Sequence, residues 1–381
     1  MKLCRYCALL SILCFAAAGA SATAYVVASP DGNLKITVNA TEPLYYAATY
    51  KNKSIIAPSP VSMTLRGKGE LKGGSQLSVT EVRNFKETLK PVLRVKNAEI
   101  ENHYNQLRLD FGDWAFTVRV FDDGFGYRFE TQMEGEIDVL SEQMTVNFPE
   151  DHTAIYADEE SLLTHQERQY LTTPLTAIPK DKFFFPPALV QIERGPSVAI
   201  TEAGLRDYAG LYLQGTEDTG FTSKFPPVAL EEHARNDRTV EVTKTADYIA
   251  RTNGTRDFPW RAFVVAAEHA GLIRSELVYK LAPPCEIEDT SWIKPGKVAW
   301  DWYNANNIFG VDFRAGINTK TYKYYIDFAA EHGLEYIILD EGWYVLPDLL
   351  DIAPEMDIPE LFAYAKKKNV AIIPWVTWKS L

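Results

Sequence analysis

The sequence predicts a multi-domain, exported protein in which a large β-sandwich precedes a set of parallel βα units. Three observations carry this. From Tyr25 to about Lys280, short alternating stretches are broken by turn residues about every 8–12 positions, with no convincing helix of three turns. Beyond Pro283-Pro284 the pattern changes to strands separated by helices, recurring roughly every 35 residues. The first 22 residues have the organisation of an export signal.

That leader, residues 1–22, opens with Lys2 and Arg5, continues through the apolar stretch Cys7–Ala18 and ends in Ala20-Ser21-Ala22, a small-x-small cleavage pattern. The apolar run is roughly 12 residues long, short of the roughly 20 needed to span a bilayer. No membrane anchor is therefore expected once it is removed. Cys4, Cys7 and Cys14 leave with it, so Cys285 has no partner within the chain and stability must come from a core. The expected location is the periplasm of a Gram-negative cell or the medium.

The sandwich is expected over residues 23–283. Leu34–Val38 alternates after the turn Pro30–Asn33, and Leu107–Phe111 and Phe116–Phe121 alternate about Gly112-Asp113. Asp123-Gly124 then leads into Phe125–Phe129. Asp123-Gly-Phe-Gly126 precedes no helix, so it reads as a hairpin turn rather than a phosphate loop.

The βα units are expected over residues 284–381. Val298–Trp302 is an apolar strand ending in polar and aromatic groups. A helix follows over Thr319–His332, with Tyr322, Tyr325, Ile326 and Ala329 on one face, Asn318 as cap and Gly333 as stop. Tyr336–Leu339 is a buried strand running into Asp340-Glu341-Gly342-Trp343. Asp357 and Glu360 resemble a capping box opening a helix over Leu361–Lys368, which Asn369 ends. Val370–Trp375 is the third strand. Polar residues gather where each strand ends, the place where βα loops build active sites in barrels and open sheets alike.

Charge and composition exclude several functions. Against 39 Lys+Arg stand 51 Asp+Glu, a net charge of −12, and the excess of acid grows when Lys2 and Arg5 depart. Such a surface repels nucleic acid and anionic lipid. The six histidines have no ligand-pair spacing, which argues against a zinc site. Aromatic residues make up 12% of the chain, a supply suited to β-structure and to stacking on flat ligands such as sugars.

The candidate site gathers Asp301, Trp302, Asp340, Glu341, Trp343, Trp378 and Lys379, all at or just beyond strand ends. Carboxylates accept hydrogen bonds from sugar hydroxyls while indoles stack on the apolar ring face. Asp340 and Glu341 are adjacent, and adjacent residues leaving a strand point to opposite sides. Asp340 is therefore read as the sugar contact, with Glu341 supporting it.

Lys297–Asn304, Gly316–Thr319, Tyr322–Ala330, Tyr336–Trp343 and Pro374–Lys379 resemble glycoside hydrolase family 97. Upstream, Ala199–Tyr208 and Gly210–Leu213 are similar to that family's N-terminal domain. The resemblance implies a calcium-assisted exoglycosidase that removes terminal α-linked glucose or galactose from oligosaccharides. It also implies an N-terminal β-super-sandwich followed by a (β/α)8 TIM barrel, of which this chain holds the first three βα units. It implies a Ca2+ ion in the active site held mainly by glutamates, one reaching in from the sandwich, and Glu202 matches that position.

In the family the catalytic acid and nucleophile or base lie on later strands, so no catalytic residue is expected within this chain, only beyond Leu381. The 381-residue polypeptide is accordingly expected not to hydrolyse a glycoside, and its open barrel to expose strand edges prone to aggregation. The other reading is a non-catalytic carbohydrate-binding protein that uses the sandwich domain. Nothing in the sequence indicates the oligomeric state.

Overall fold

A computed structural model describes residues 24–74, 76–216, 218–236 and 239–381. The expected export signal, with Cys4, Cys7 and Cys14, lies outside the described residues. By its contacts the chain divides into two compact units. One comprises Met1–Leu89, Glu99–Val228 and Asp247–Pro283; the other comprises Lys90–Ala98, Ala229–Ala246 and Pro284–Leu381.

The first unit is β-rich. Among the described residues its 17 strands form one hydrogen-bonded network in which every pairing is antiparallel. The organising element is the 24-residue strand Gly124–Asn147, which pairs in succession with Trp114–Phe121, Trp260–Ala266, Ala250–Asp257, Lys53–Leu65 and Gly220–Lys224. The alternation seen in the sequence buries one continuous core, in which Leu34, Ile36 and Val38 join Phe116, Phe125, Tyr127, Phe129 and Phe263. The hairpin before this long strand turns through Asp122-Asp123, since Phe121 pairs with Gly124. Gly124 has φ +152°, and a Cβ there would meet the Phe263 carbonyl oxygen at 2.2 Å, so only glycine fits.

On the surface of this unit Asp138 accepts from Arg251 Nε at 2.7 Å and from Arg66 Nε at 2.9 Å. The hydrogen bond from Arg251, supported by that from Arg66, holds its carboxyl down at about 2, below its ordinary 3.8. A carboxylate depressed on folding stabilises the fold above its unfolded value, and that contribution is lost as pH falls from about 4 towards 2. In thermal melts between pH 6 and pH 2.5, Asp138→Asn is expected to differ most from wild type at the upper end and to converge with it at the lower. A constant gap across the range would contradict the assignment.

The second unit carries a three-stranded parallel sheet, Val298–Trp300, Tyr336–Leu339 and Ala371–Pro374, in that order. The helices Thr319–His332 and Ile358–Lys368 connect them. Tyr322, Ile326 and Ala329 pack with Ile337, Leu339 and Leu361. Asn318 Oδ1 accepts from Thr321 N at 2.9 Å, and Gly333 closes the first helix with φ +66°.

Three expectations needed adjustment. The first strand ends at Trp300, and Asp301–Asn304 turns into a 3-10 helix because the Asp301 side chain is drawn inward by Tyr322 and Asn306. The second helix begins at Ile358, with Pro359 in its first turn, where a missing N–H costs nothing. The capping box is one-sided. Asp357 Oδ1 accepts from Glu360 N at 2.9 Å, but Asp357 N donates to Thr319 Oγ1 at 2.7 Å while the Glu360 carboxylate pairs with Lys323. No helix among the described residues is long and apolar enough to cross a membrane.

Candidate functional site

The end of the parallel sheet brings Asp301, Asp340 and Trp300 together. The Trp300 indole Nε1 donates to Asp340 Oδ2, and the Glu341 amide donates to Asp340 Oδ1 at 2.6 Å. Both carboxylate oxygens are thereby oriented, and the half-buried Asp340 is left with its remaining lone pairs for a ligand. Glu341 is half-buried beside it.

Asp301 lies beneath this point. It is 1% exposed; its Oδ2 accepts from Tyr322 Oη at 2.7 Å and from Asn306 Nδ2, while Oδ1 is buried with no hydrogen-bond partner. Burial pushes its carboxyl up, against the hydrogen bonds from Tyr322 and Asn306 and with the Asp340 charge adding to the rise. Burial, and then the Asp301 carboxylate, push the Tyr322 hydroxyl up as well. The Asp301 carboxylate is thus covered by Tyr322 and Asn306 and supports the strand end from below.

The aromatic groups divide in the same way. Trp302 is 64% exposed and forms an open cluster with Trp300 (ring centroids 6.3 Å apart) and Tyr303 (5.6 Å). Trp378 is 89% exposed, on the 3-10 turn Trp378–Ser380 that also exposes Lys379. Trp343, by contrast, is buried; its Nε1 donates to the Trp375 carbonyl at 2.7 Å, tying the second strand's end to the third's. The sequence reading did not single out Trp300 or Tyr322 as site residues. Trp300 is the last residue of the strand that leads into Asp301 and Trp302, and Tyr322 shows only as one apolar position on a helix face.

Glu202 lies in the β-rich unit, directly across the ladder from Arg261. Arg261 Nη1 donates to Glu202 Oε2 at 2.7 Å and Leu211 N to Oε1 at 3.0 Å. The other end of the guanidinium forks onto Glu142, with Nε–Oε1 and Nη2–Oε2 both at 2.6 Å, and Tyr208 Oη donates to Glu142 Oε2 at 2.8 Å. This cluster was also missing from the sequence reading. As an oxygen donor Glu202 suits a hard cation such as calcium, yet it is a single ligand. No group of three or more His, Cys, Asp or Glu able to hold a metal ion occurs among the described residues.

Comparison with known proteins divides the chain between residues 284 and 300. Residues 27–284 match the glycosyl-hydrolase 97 N-terminal model, and residues 300–381 match the glycoside hydrolase 97 model. A retaining alpha-galactosidase of Bacteroides thetaiotaomicron is 39% identical over 366 residues, 92% of this chain and 55% of the relative. A probable retaining alpha-galactosidase of Streptomyces bingchenggensis is 29% identical over 342 residues, 86% of this chain and 48% of the relative. The chain thus spans about half the length of the curated relatives it matches. A family 97 enzyme from Pseudoalteromonas sp. strain K8, solved in complex with acarbose, superposes with a TM-score of 0.75 at 22% identity, over 91% of this chain and 53% of that one. On both family matches and on that 39% identity, the chain belongs to glycoside hydrolase family 97.

Proposed function

We propose that this chain is part of an exported retaining α-galactosidase that removes terminal α-linked galactose from oligosaccharides. The observation that carries the reading is Asp340, a half-buried carboxylate oriented at both oxygens by the Trp300 indole N–H and the Glu341 amide, with the exposed Trp302 ring 6.3 Å from that of Trp300. A terminal sugar would give hydroxyl hydrogens to Asp340 and lay its apolar face on Trp302 or Trp378, while Lys379 would donate to a ring substituent. Glu341, Asp301 and Trp343 support these contacts. The 39% identity to an enzyme named as a retaining α-galactosidase favours galactose over glucose. Retention calls for two carboxyl groups roughly 5–5.5 Å apart. Asp340 and Glu341 are not assigned that part, because adjacent residues leaving a strand point to opposite sides.

The proposed architecture is a β-super-sandwich over residues 23–283 and the opening of a (β/α)8 barrel over 284–381, behind a cleaved signal at 1–22. Glu202 is proposed as one calcium ligand, an oxygen donor of the kind that calcium takes. The alternative, glycan binding by the β-rich unit alone, has less support, since both tryptophans of residues 23–283, Trp114 and Trp260, are buried in it.

The substrate class is tested by assaying the full-length gene product on p-nitrophenyl α-D-galactoside and α-D-glucoside. The expected outcome is a clear preference for the galactoside, at least tenfold in kcat/KM. Equal rates, or a preference for the glucoside, would overturn the substrate assignment.

A further inference from the structure

Asp301 is poorly placed to carry a charge. It is 1% exposed, both its donors, Tyr322 Oη and Asn306 Nδ2, fall on Oδ2, and Oδ1 is buried without a hydrogen-bond partner among the described residues. The groups that face it are those two donors, the Tyr325 phenol from the same helix as Tyr322, and the Asp340 carboxylate at the next strand's end. None of these is a cation. Where two carboxyl groups bear on each other away from water, one of them keeps a proton. Asp340 is half-buried and receives an N–H on each oxygen, so it holds the charge better than Asp301 does. Burial, with the Asp340 charge behind it, pushes the Asp301 carboxyl up in the same sense.

Asp301 also closes a turn. Its main-chain carbonyl accepts from Asn306 N at 3.0 Å, while its side chain accepts from Asn306 Nδ2. Ala305 and Asn306 both take positive φ, +53° and +58°, a conformation unfavourable for alanine that this double tie secures. Within the turn stand Trp302 and Tyr303, both exposed.

We infer that Asp301 is a positioning residue that works as a neutral carboxylic acid: it keeps the proton of the Asp301–Asp340 pair, leaves the negative charge on Asp340, and fastens the turn that presents Trp302. Its part in sugar binding rests on the proposed contact of Asp340 with substrate; its protonation does not.

The test compares wild type, Asp301→Asn and Asp301→Ala as full-length gene products. A carboxyl raised on folding loses stability as pH climbs past its ordinary 3.8, because the unfolded chain gives up the proton first. Asparagine copies the neutral acid and has no proton to lose. In thermal melts between pH 4 and pH 8, the melting temperature of Asp301→Asn relative to wild type is therefore expected to rise with pH. A difference that is constant, or that falls with pH, would overturn the inference. On p-nitrophenyl α-D-galactoside, Asp301→Ala is expected to lose about tenfold or more in kcat/KM and Asp301→Asn clearly less, since it still accepts from Tyr322 and Asn306. Equal losses would overturn the positioning role. Should Asp301→Asn fail to fold, infrared spectra decide: wild type at pH 7 is expected to show the C=O band of a protonated carboxylic acid, shifted by Tyr322→Phe. No such band, or one that Tyr322→Phe leaves in place, would overturn the protonation. If the melts behave as expected but Asp340→Ala retains full kcat/KM, the sugar contact fails and the protonation of Asp301 stands.

Discussion

Replacing Arg261 with leucine is expected to destabilise the β-rich unit by about 3–5 kcal/mol, the cost of leaving a buried charge without its partner. In wild type the guanidinium answers two carboxylates at once, Glu142 through two 2.6 Å bonds and Glu202 through one of 2.7 Å. Leucine would leave those carboxylates facing each other in the sheet, with Tyr208 Oη as the remaining side-chain donor to Glu142. The cost comes from breaking the arrangement; a well-packed apolar replacement of all three groups would be far less harmful, because a buried ion pair adds little net stability over hydrophobic packing. The urea midpoint of the R261L variant measures this. A loss below about 1 kcal/mol would show that water reaches both carboxylates once the guanidinium is gone.

The second large effect is on activity. Asp340→Ala in the full-length gene product is expected to lower kcat/KM on an α-galactoside by about two to three orders of magnitude. It removes charged hydrogen bonds to sugar hydroxyls, each worth about 1.5–3 kcal/mol, and strands the Trp300 N–H. Asp340→Asn retains an acceptor for Trp300 and should lose less. Trp300→Phe keeps the apolar ring but frees Asp340 Oδ2, and should cost about tenfold. An Asp340→Ala enzyme within threefold of wild type would remove Asp340 from sugar recognition.

How much of this was legible in the sequence depended on how local each cause was. The Thr319–His332 helix and both its ends could be read directly, because Asn318 and Gly333 act within one turn of it. The strand Tyr336–Leu339 and the acidic turn after it were legible for the same reason. The inward turn of Asp301 was not legible because it depends on Tyr322, 21 residues away, whose hydroxyl leaves no trace in an apolar pattern. The long strand Gly124–Asn147 reads as shorter pieces since Gly135 takes φ +72° within it and its ladder with Ala250–Asp257 shifts register nearby. The Glu142–Arg261–Glu202 cluster was invisible. Its members lie 119 and 59 residues apart and meet only because three strands converge. Residues of that kind are found from topology, never from spacing.

The central claim is that this family 97 chain belongs to a retaining α-galactosidase. It is tested most directly by following hydrolysis of an α-galactoside by the full-length gene product with proton NMR, fast enough to see the first sugar formed before it mutarotates. The account predicts that α-galactose appears first and the β-anomer grows in later. β-Galactose appearing first, or no galactose released at all, would contradict it.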